Sequence, residues 1–249
     1  MSFAGKVVIV TGASSGIGAS TAILFSKEDA DVVIVGRNEN KLAKVSAQCK
    51  ENGRNPLIVK ADVCVDSEAE SIITKTIDRF GKIDILINNA GVLNIASIVE
   101  GTFLDTYETL AKTNLKAVIK LTTLATPHII RSKGNIVNVS SAAGTNIASH
   151  LFGAYGLTKC GLNFFSKVAA MELSPLGVRV NTISPGPVET DIWENSNLQP
   201  IIVQVRSALD RVTHSDEIAN LILYVASDKA AGITGSNYVN DNGFLAINH

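Results

Sequence analysis

An α/β fold, with a doubly wound parallel sheet between two layers of helices, is what this sequence predicts, and three observations predict it. Short β-branched runs with no polar face, such as residues 6–10 (KVVIV) and 31–35 (DVVIV), alternate with longer stretches of helical period. Strands of that kind are buried on both sides by crossover helices. A glycine-rich turn follows the first run at once, over Thr11–Gly12–Ala13–Ser14–Ser15–Gly16–Ile17–Gly18. No linker, low-complexity stretch or repeat interrupts the alternation, so a single domain over 1–249 is expected.

Composition bounds the function classes. The chain is 46% hydrophobic and 18% charged, with formal net charge -1, as for a well-packed globular protein. It has no basic block, so nucleic acid is not an expected partner. No apolar run approaches the ~18–20 residues of a spanning helix, so no membrane association is expected. The N-terminus runs into a strand with no secretory pattern, and the cysteines Cys49, Cys64 and Cys160 show no C-x-x-C spacing. The expectation is a cytoplasmic protein with reduced thiols and no metal centre. Cys160 reads better as a small buried hydrophobe than as a reactive thiol.

Each element has a local reason. After the first strand, Gly12 permits a tight turn, Gly16 a close approach of backbone to a pyrophosphate, and Gly18 close packing of helix on sheet. The helix runs to about residue 27 and presents its N-terminus to the anion. The second strand, 31–35, ends at Gly36–Arg37–Asn38. A carboxylate at that place would accept from an adenosine 2'-OH; Arg37 instead suits a 2'-phosphate, unless it is only a solvated loop charge. Ser14 and Ser15 can add hydroxyl contacts. NADP(H) is therefore the preferred cofactor and NAD(H) a possible one. Residues 39–52 form a polar-faced helix with Gly53 at its C' position. Strand three, 55–63, ends at Asp62–Val63, where Asp62 either accepts from the adenine amino group or caps the next turn. Residues 66–80 are an amphipathic helix closed by Gly81. Strand four, 83–87, leads into Asn88–Asn89–Ala90–Gly91, small enough for cofactor approach and able to tie strand ends together.

Residues 105–131 are helical and carry Asn114, a polar residue in a core-like helix. It either has a specific role, holding a water or opening a backbone bond, or is an ordinary structural polar group. Strand five, 135–140, delivers Ser141 to its C-terminal end, where ligands bind in open α/β sheets. The following helix carries Tyr155 and Lys159 four residues apart, on one face. An ammonium there is expected to lower the phenol's pKa and fit it to proton transfer, with Ser141 holding a substrate oxygen; alternatively the two are a solvated helix pair. Strand six, 178–184, precedes the rigid turn Pro185–Gly186–Pro187–Val188–Glu189–Thr190. Residues 191–213 read as a lid or as a surface helix. Ser215 opens a helix without a full capping box that runs to 226, and 237–239 form a last strand.

The ordered set Thr11–Gly12–x–x–x–Gly16–x–Gly18, Asn88–Asn89–Ala90–Gly91, Asn114, Ser141, Tyr155–x–x–x–Lys159 and Pro185–Gly186 resembles the short-chain dehydrogenase/reductase superfamily, in its compact branch of about 250 residues, over 4–244. The resemblance implies a Rossmann-type sheet of seven parallel strands, with a cofactor half over about 1–140 and a catalytic and substrate half over about 141–249, in a homotetramer or homodimer. It implies Tyr155 as general acid or base, Lys159 on the nicotinamide ribose, Ser141 on the substrate oxygen and Asn114 holding a relay water. Ile17, Val63, Asn89, Ala90, Gly91, Val139, Pro185, Gly186 and Val188 would line the cofactor, and Thr190 would reach the nicotinamide amide. Two departures stand out. The gap from Ser141 to Tyr155 is one residue longer than is commonest in the family, and Asn240–Asp241–Asn242–Gly243 replaces the more usual V-D-G-G.

The expected activity is NADPH-dependent reduction of a ketone or aldehyde: a 3-oxoacyl thioester, a steroid-like or ecdysteroid ketone, or a xenobiotic carbonyl. The expected substrate wall is His150, Leu151, Phe152 and Trp193, reshaped by Ser149, with Leu93, Ile95 and Ile201 as further apolar candidates. Alternatives are an NAD-dependent alcohol or hydroxysteroid dehydrogenase and a non-catalytic NADP(H)-binding regulator.

Overall fold

A computed structural model describes residues 1–147, 149–192 and 207–248. Seven parallel strands form one sheet in the order β3-β2-β1-β4-β5-β6-β7. They are β1 (Val7–Thr11), β2 (Asp31–Gly36), β3 (Leu57–Lys60), β4 (Ile85–Asn88), β5 (Asn135–Val139), β6 (Arg179–Pro185) and β7 (Asn237–Asn240). The helices are α1 (Gly16–Lys27), α2 (Glu39–Glu51), α3 (Asp66–Phe80), α4 (Phe103–Ala111), α5 (Ala117–Ser132), α6 (Gly153–Leu173), α7 (Ser215–Ala226) and the short α8 (Phe244–Ile247). The chain reverses direction across the sheet between β1 and β4. That crevice, at the C-terminal ends of the strands, is where open α/β sheets bind ligands.

Strand pleating sorts the core into two layers. Val8, Val10, Ile34 and Ile87 face α1 and α7, meeting Phe25, Ile218 and Ile222. Val7, Ile9, Val33 and Leu86 face the other way, toward Ile72 of α3, Leu121 of α5 and Leu173 of α6. All four residues of β4 are buried, as the absence of a polar face in its sequence requires.

Several boundaries differ from the sequence expectation for visible reasons. β3 is shorter than 55–63: after Lys60 the chain turns away, with the Asp62 N–H bonded to the Glu68 carboxylate (2.6 Å) and Asp62 Oδ1 accepting from the Cys64 N–H (2.9 Å). The 105–131 helix begins earlier, at Phe103, and is broken by a π-helical turn over Lys112–Lys116 that contains Asn114. α7 begins at Ser215 as expected and is capped by His214, whose N–H donates to the Glu217 carboxylate (2.9 Å), one residue ahead of the Ser215–x–x–Ile218 spacing. Cys160 is exposed, not buried. One residue round α6 from the inward-facing Lys159, it points to solvent. Trp193, Ile201 and most of the 191–213 stretch lie outside the described residues.

Candidate active site

The glycine turn is shaped as its sequence demands. Gly12 has φ +66°, and a β-carbon there would sit 2.9 Å from the Ala90 Cα. Asn89 fastens this contact by donating to Thr11 O (2.9 Å) and Gly12 O (3.3 Å), while Thr11 Oγ1 accepts from the N–H groups of Asn89 and Ala90. A β-carbon on Gly18 would lie 2.3 Å from Gly12 O, which is the close packing expected of that position. Gly16, with φ +52°, admits the Thr190 side chain, whose Cγ2 would be 2.7 Å from an added β-carbon. The segment after β6 is thus docked on the start of α1. Asp191 completes the docking through an ion pair with Lys41 of α2 and a hydrogen bond with the Ser15 hydroxyl.

Ser141 and Tyr155 meet because two glycines let their elements touch. The 3-10 turn Ala142–Gly144 lies flat on α6: a β-carbon on Gly144 would be 2.7 Å from the Lys159 carbonyl carbon, and one on Gly156 would be 2.8 Å from Ala143 O. Ser141 hydrogen-bonds the phenol of Tyr155. Lys159 is 4% exposed and donates from Nζ to Val139 O (3.0 Å). Its Nζ is 5.7 Å from the Tyr155 ring centroid. Asn114 is fully buried. Its Oδ1 accepts from the Val92 N–H (2.9 Å), and its Nδ2 donates to Val92 O (2.9 Å) and Thr158 Oγ1 (3.2 Å). A β-carbon on Gly91 would lie 3.4 Å from Asn114 Oδ1 and 3.6 Å from Lys159 Nζ, so both polar groups converge on one point.

The electrostatics correct the expected phenol. Tyr155 is only half-buried, yet desolvation of its charged form pushes the phenol up to about 12, opposed by the hydrogen bond from Ser141. The Lys159 ammonium is committed to Val139 O and does not counter that burial. Lys159 itself is lowered to about 8 by desolvation.

One cavity of about 630 Å³ joins these parts. Gly12, Ser14, Ser15, Gly16, Ile17, Arg37, Asp62, Val63, Asn89, Ala90, Gly91, Val139, Ser141, Phe152, Tyr155, Lys159, Pro185, Gly186, Val188 and Thr190 all line it. Gly18, Asn38 and Asn114 do not line it, and Asn38 is exposed. Asn38 is the N-cap of α2, its Oδ1 accepting from the Lys41 N–H (3.0 Å). Arg37 has a 72% exposed side chain and lies 3.7 Å from the Asp62 carboxylate. Of the expected substrate wall, Leu93 and Phe152 line the cavity but Ile95, His150 and Leu151 do not. Between Ser141 and Tyr155 stands the turn His150–Phe152, capped by Ser149 and tied by Ala96 N–H to Leu151 O (3.0 Å). Ile192 and Phe244 also line the cavity; neither was singled out by sequence, since nothing local marks a residue so far from the motifs.

The family model described as short chain dehydrogenase matches residues 6–200. The chain belongs to the short-chain dehydrogenase family. A 3-oxoacyl-[acyl-carrier-protein] reductase of Synechocystis sp. is 32% identical over 243 residues, covering 96% of this chain and 97% of that protein. A short-chain dehydrogenase/reductase of Caenorhabditis elegans, solved with cofactor, superposes with TM-score 0.92 at 34% identity over 98% of this chain and 97% of its own. The glucose dehydrogenase of Caenorhabditis elegans in its apo form gives TM-score 0.85 at 35% identity over 99% and 100%. The protein is therefore an oxidoreductase of a family that binds a nicotinamide dinucleotide and acts on small molecules. Among its described residues no helix is long and apolar enough to cross a membrane.

Proposed function

We propose that this short-chain dehydrogenase reduces the carbonyl of a lipophilic ketone or aldehyde with NADPH. The observation that carries the reading is the convergence of Ser141, Tyr155 and Lys159 at one end of the cavity that the glycine turn opens at the other. The cradle suits a dinucleotide: Ser14, Ser15 and Gly16 line the cavity at the start of α1, where the helix N-terminus favours a phosphate. A bound nicotinamide supplies the hydride.

This chain's own residues do the rest. Ser141 holds the substrate oxygen against Tyr155. The phenol, neutral through the physiological range with its pKa near 12, is placed to donate its proton to that oxygen. Lys159, cationic below about pH 8, keeps its ammonium on Val139 O beside the Tyr155 ring. Asn114 braces the strand-four turn through Val92 at the same point. Arg37, at the end of β2 where no carboxylate replaces it, supports the preference for a 2'-phosphate. The Asp62 carboxylate beside Arg37 favours a second reading, NAD-dependent alcohol oxidation.

Titration of the protein with NADPH and NADH, followed by nicotinamide fluorescence, separates the two. Tighter NADPH binding, reversed by Arg37→Asp, is the expected result; preference for NADH in the unaltered protein refutes the cofactor assignment. Tyr155→Phe is expected to lower kcat by at least about 100-fold with NADPH binding retained. Undiminished turnover would remove Tyr155 as the proton donor.

A further inference from the structure

Phe244, the first residue of α8, lines the same cavity as Ser141 and Tyr155. Its position is built rather than incidental. Asp241 accepts from the Gly243 N–H through Oδ1 and from the Leu245 N–H through Oδ2, both at 2.9 Å. Gly186 N–H donates to Asn240 O (3.0 Å), and a β-carbon on Gly186 would lie 2.6 Å from the Asp241 Cβ. Beyond Phe244, Asn248 Nδ2 donates to Phe244 O (2.8 Å), and Asn146 Nδ2 reaches Asn248 O (3.4 Å). The C-terminal turn therefore spans from the end of β6 to the loop that follows Ser141, and brings Phe244 into the cavity lining.

Other apolar side chains share the lining. Leu93, Phe152, Pro187 and Ile192 line the cavity with Phe244. The charged side chains among the described lining residues are Arg37, Asp62, Asp191 and Lys159. Arg37 and Asp62 pair with each other at the ends of β2 and β3, Asp191 is held by Lys41 and Ser15, and Lys159 donates to Val139 O. None is left to recognise a charged substituent, and a hydroxyl placed against the Phe244 ring would find no partner on that ring.

We propose that Phe244 selects the substrate by packing against an aryl or alkyl group on the carbonyl, so that the site takes uncharged ketones of that kind in preference to sugars. The turn Asn240–Asp241–Asn242–Gly243 is then the mount of a specificity side chain. The inference rests on the carbonyl-reductase reading.

The test compares the unaltered protein, Phe244→Ala and Phe244→Leu, using propiophenone with NADPH and D-glucose with NADP+. Initial rates are measured alongside calorimetric binding of propiophenone to the NADPH-loaded protein, with NADPH affinity and melting temperature as controls on folding. The expected result is a rise of about tenfold or more in propiophenone KM for Phe244→Ala, partial recovery in Phe244→Leu, and NADPH affinity unchanged. Propiophenone kinetics that do not respond to either substitution, better turnover of glucose, or no binding of propiophenone by the unaltered protein would overturn the inference. Binding that weakens in Phe244→Ala without turnover in any form would instead leave the selection standing and refute the reductase reading.

Discussion

Lys159 carries a measurable cost in the folded state. Its pKa is lowered from 10.5 to about 8, so below pH 8 both folded and unfolded chains hold the proton and the penalty for burying the cation is felt in full. Between about pH 8 and 10.5 the folded state gives up its proton first, and stability rises with pH. Lys159→Met removes this dependence. Its advantage in unfolding free energy over the unaltered protein should therefore be about 2 kcal/mol smaller at pH 9.5 than at pH 7, as denaturant titrations at the two pH values would show; a pH-independent difference would exclude the shift. That Tyr155 and Lys159 share a face was legible from spacing, because a four-residue step on a helix fixes it. The state of the phenol was not. Spacing suggested an ammonium acting on the hydroxyl, whereas burial decides the outcome, and burial is set by elements distant in sequence. Cys160 misled for a related reason: its small apolar character said nothing about which side of α6 it occupies.

The active-site turn depends on an element contact that two missing β-carbons permit. Gly144→Ala would place a methyl 2.7 Å from the α6 backbone at Lys159, which cannot yield as a flexible side chain can. The variant should lose about 1–3 kcal/mol of stability and a larger share of kcat than of dinucleotide affinity, because Ser141 is displaced while the glycine cradle at α1 is untouched. Equal kcat in variant and parent would show that the turn can shift without cost. At this scale the sequence located nearly every strand and helix. It could not foresee the π-helical turn around Asn114, nor that His150 and Leu151 would stay out of the cavity lining, since both follow from tertiary contacts with Val92 and Ala96. The C-terminal turn was missed altogether as a wall of the site.

Across the whole molecule, α6 presents an apolar stripe to solvent. Leu157, Phe164 and Met171 recur every seventh residue and are 54%, 71% and 80% exposed, with Val168 beside them at 43%. Such a seam on a surface helix suits burial against a second copy of the chain. Sedimentation should find the protein associated, and Phe164→Glu with Met171→Glu should shift it to a smaller species without unfolding it; a monomer in both cases would refute this use of the stripe. The fold was the most legible level of all, because strands without a polar face leave few architectures open.

The pairing of Lys41 with Asp191 gives the cavity rim a property of its own. A carboxylate already sits beside Ser15 at the start of α1, on ground that favours negative charge. An arriving phosphate group must share that ground with Asp191 or draw Lys41 away from it. Dissolved salt therefore works on both sides of the balance, screening phosphate from Arg37 while loosening the resident pair. Occupancy of the site should depend on ionic strength less steeply than Arg37 alone would dictate.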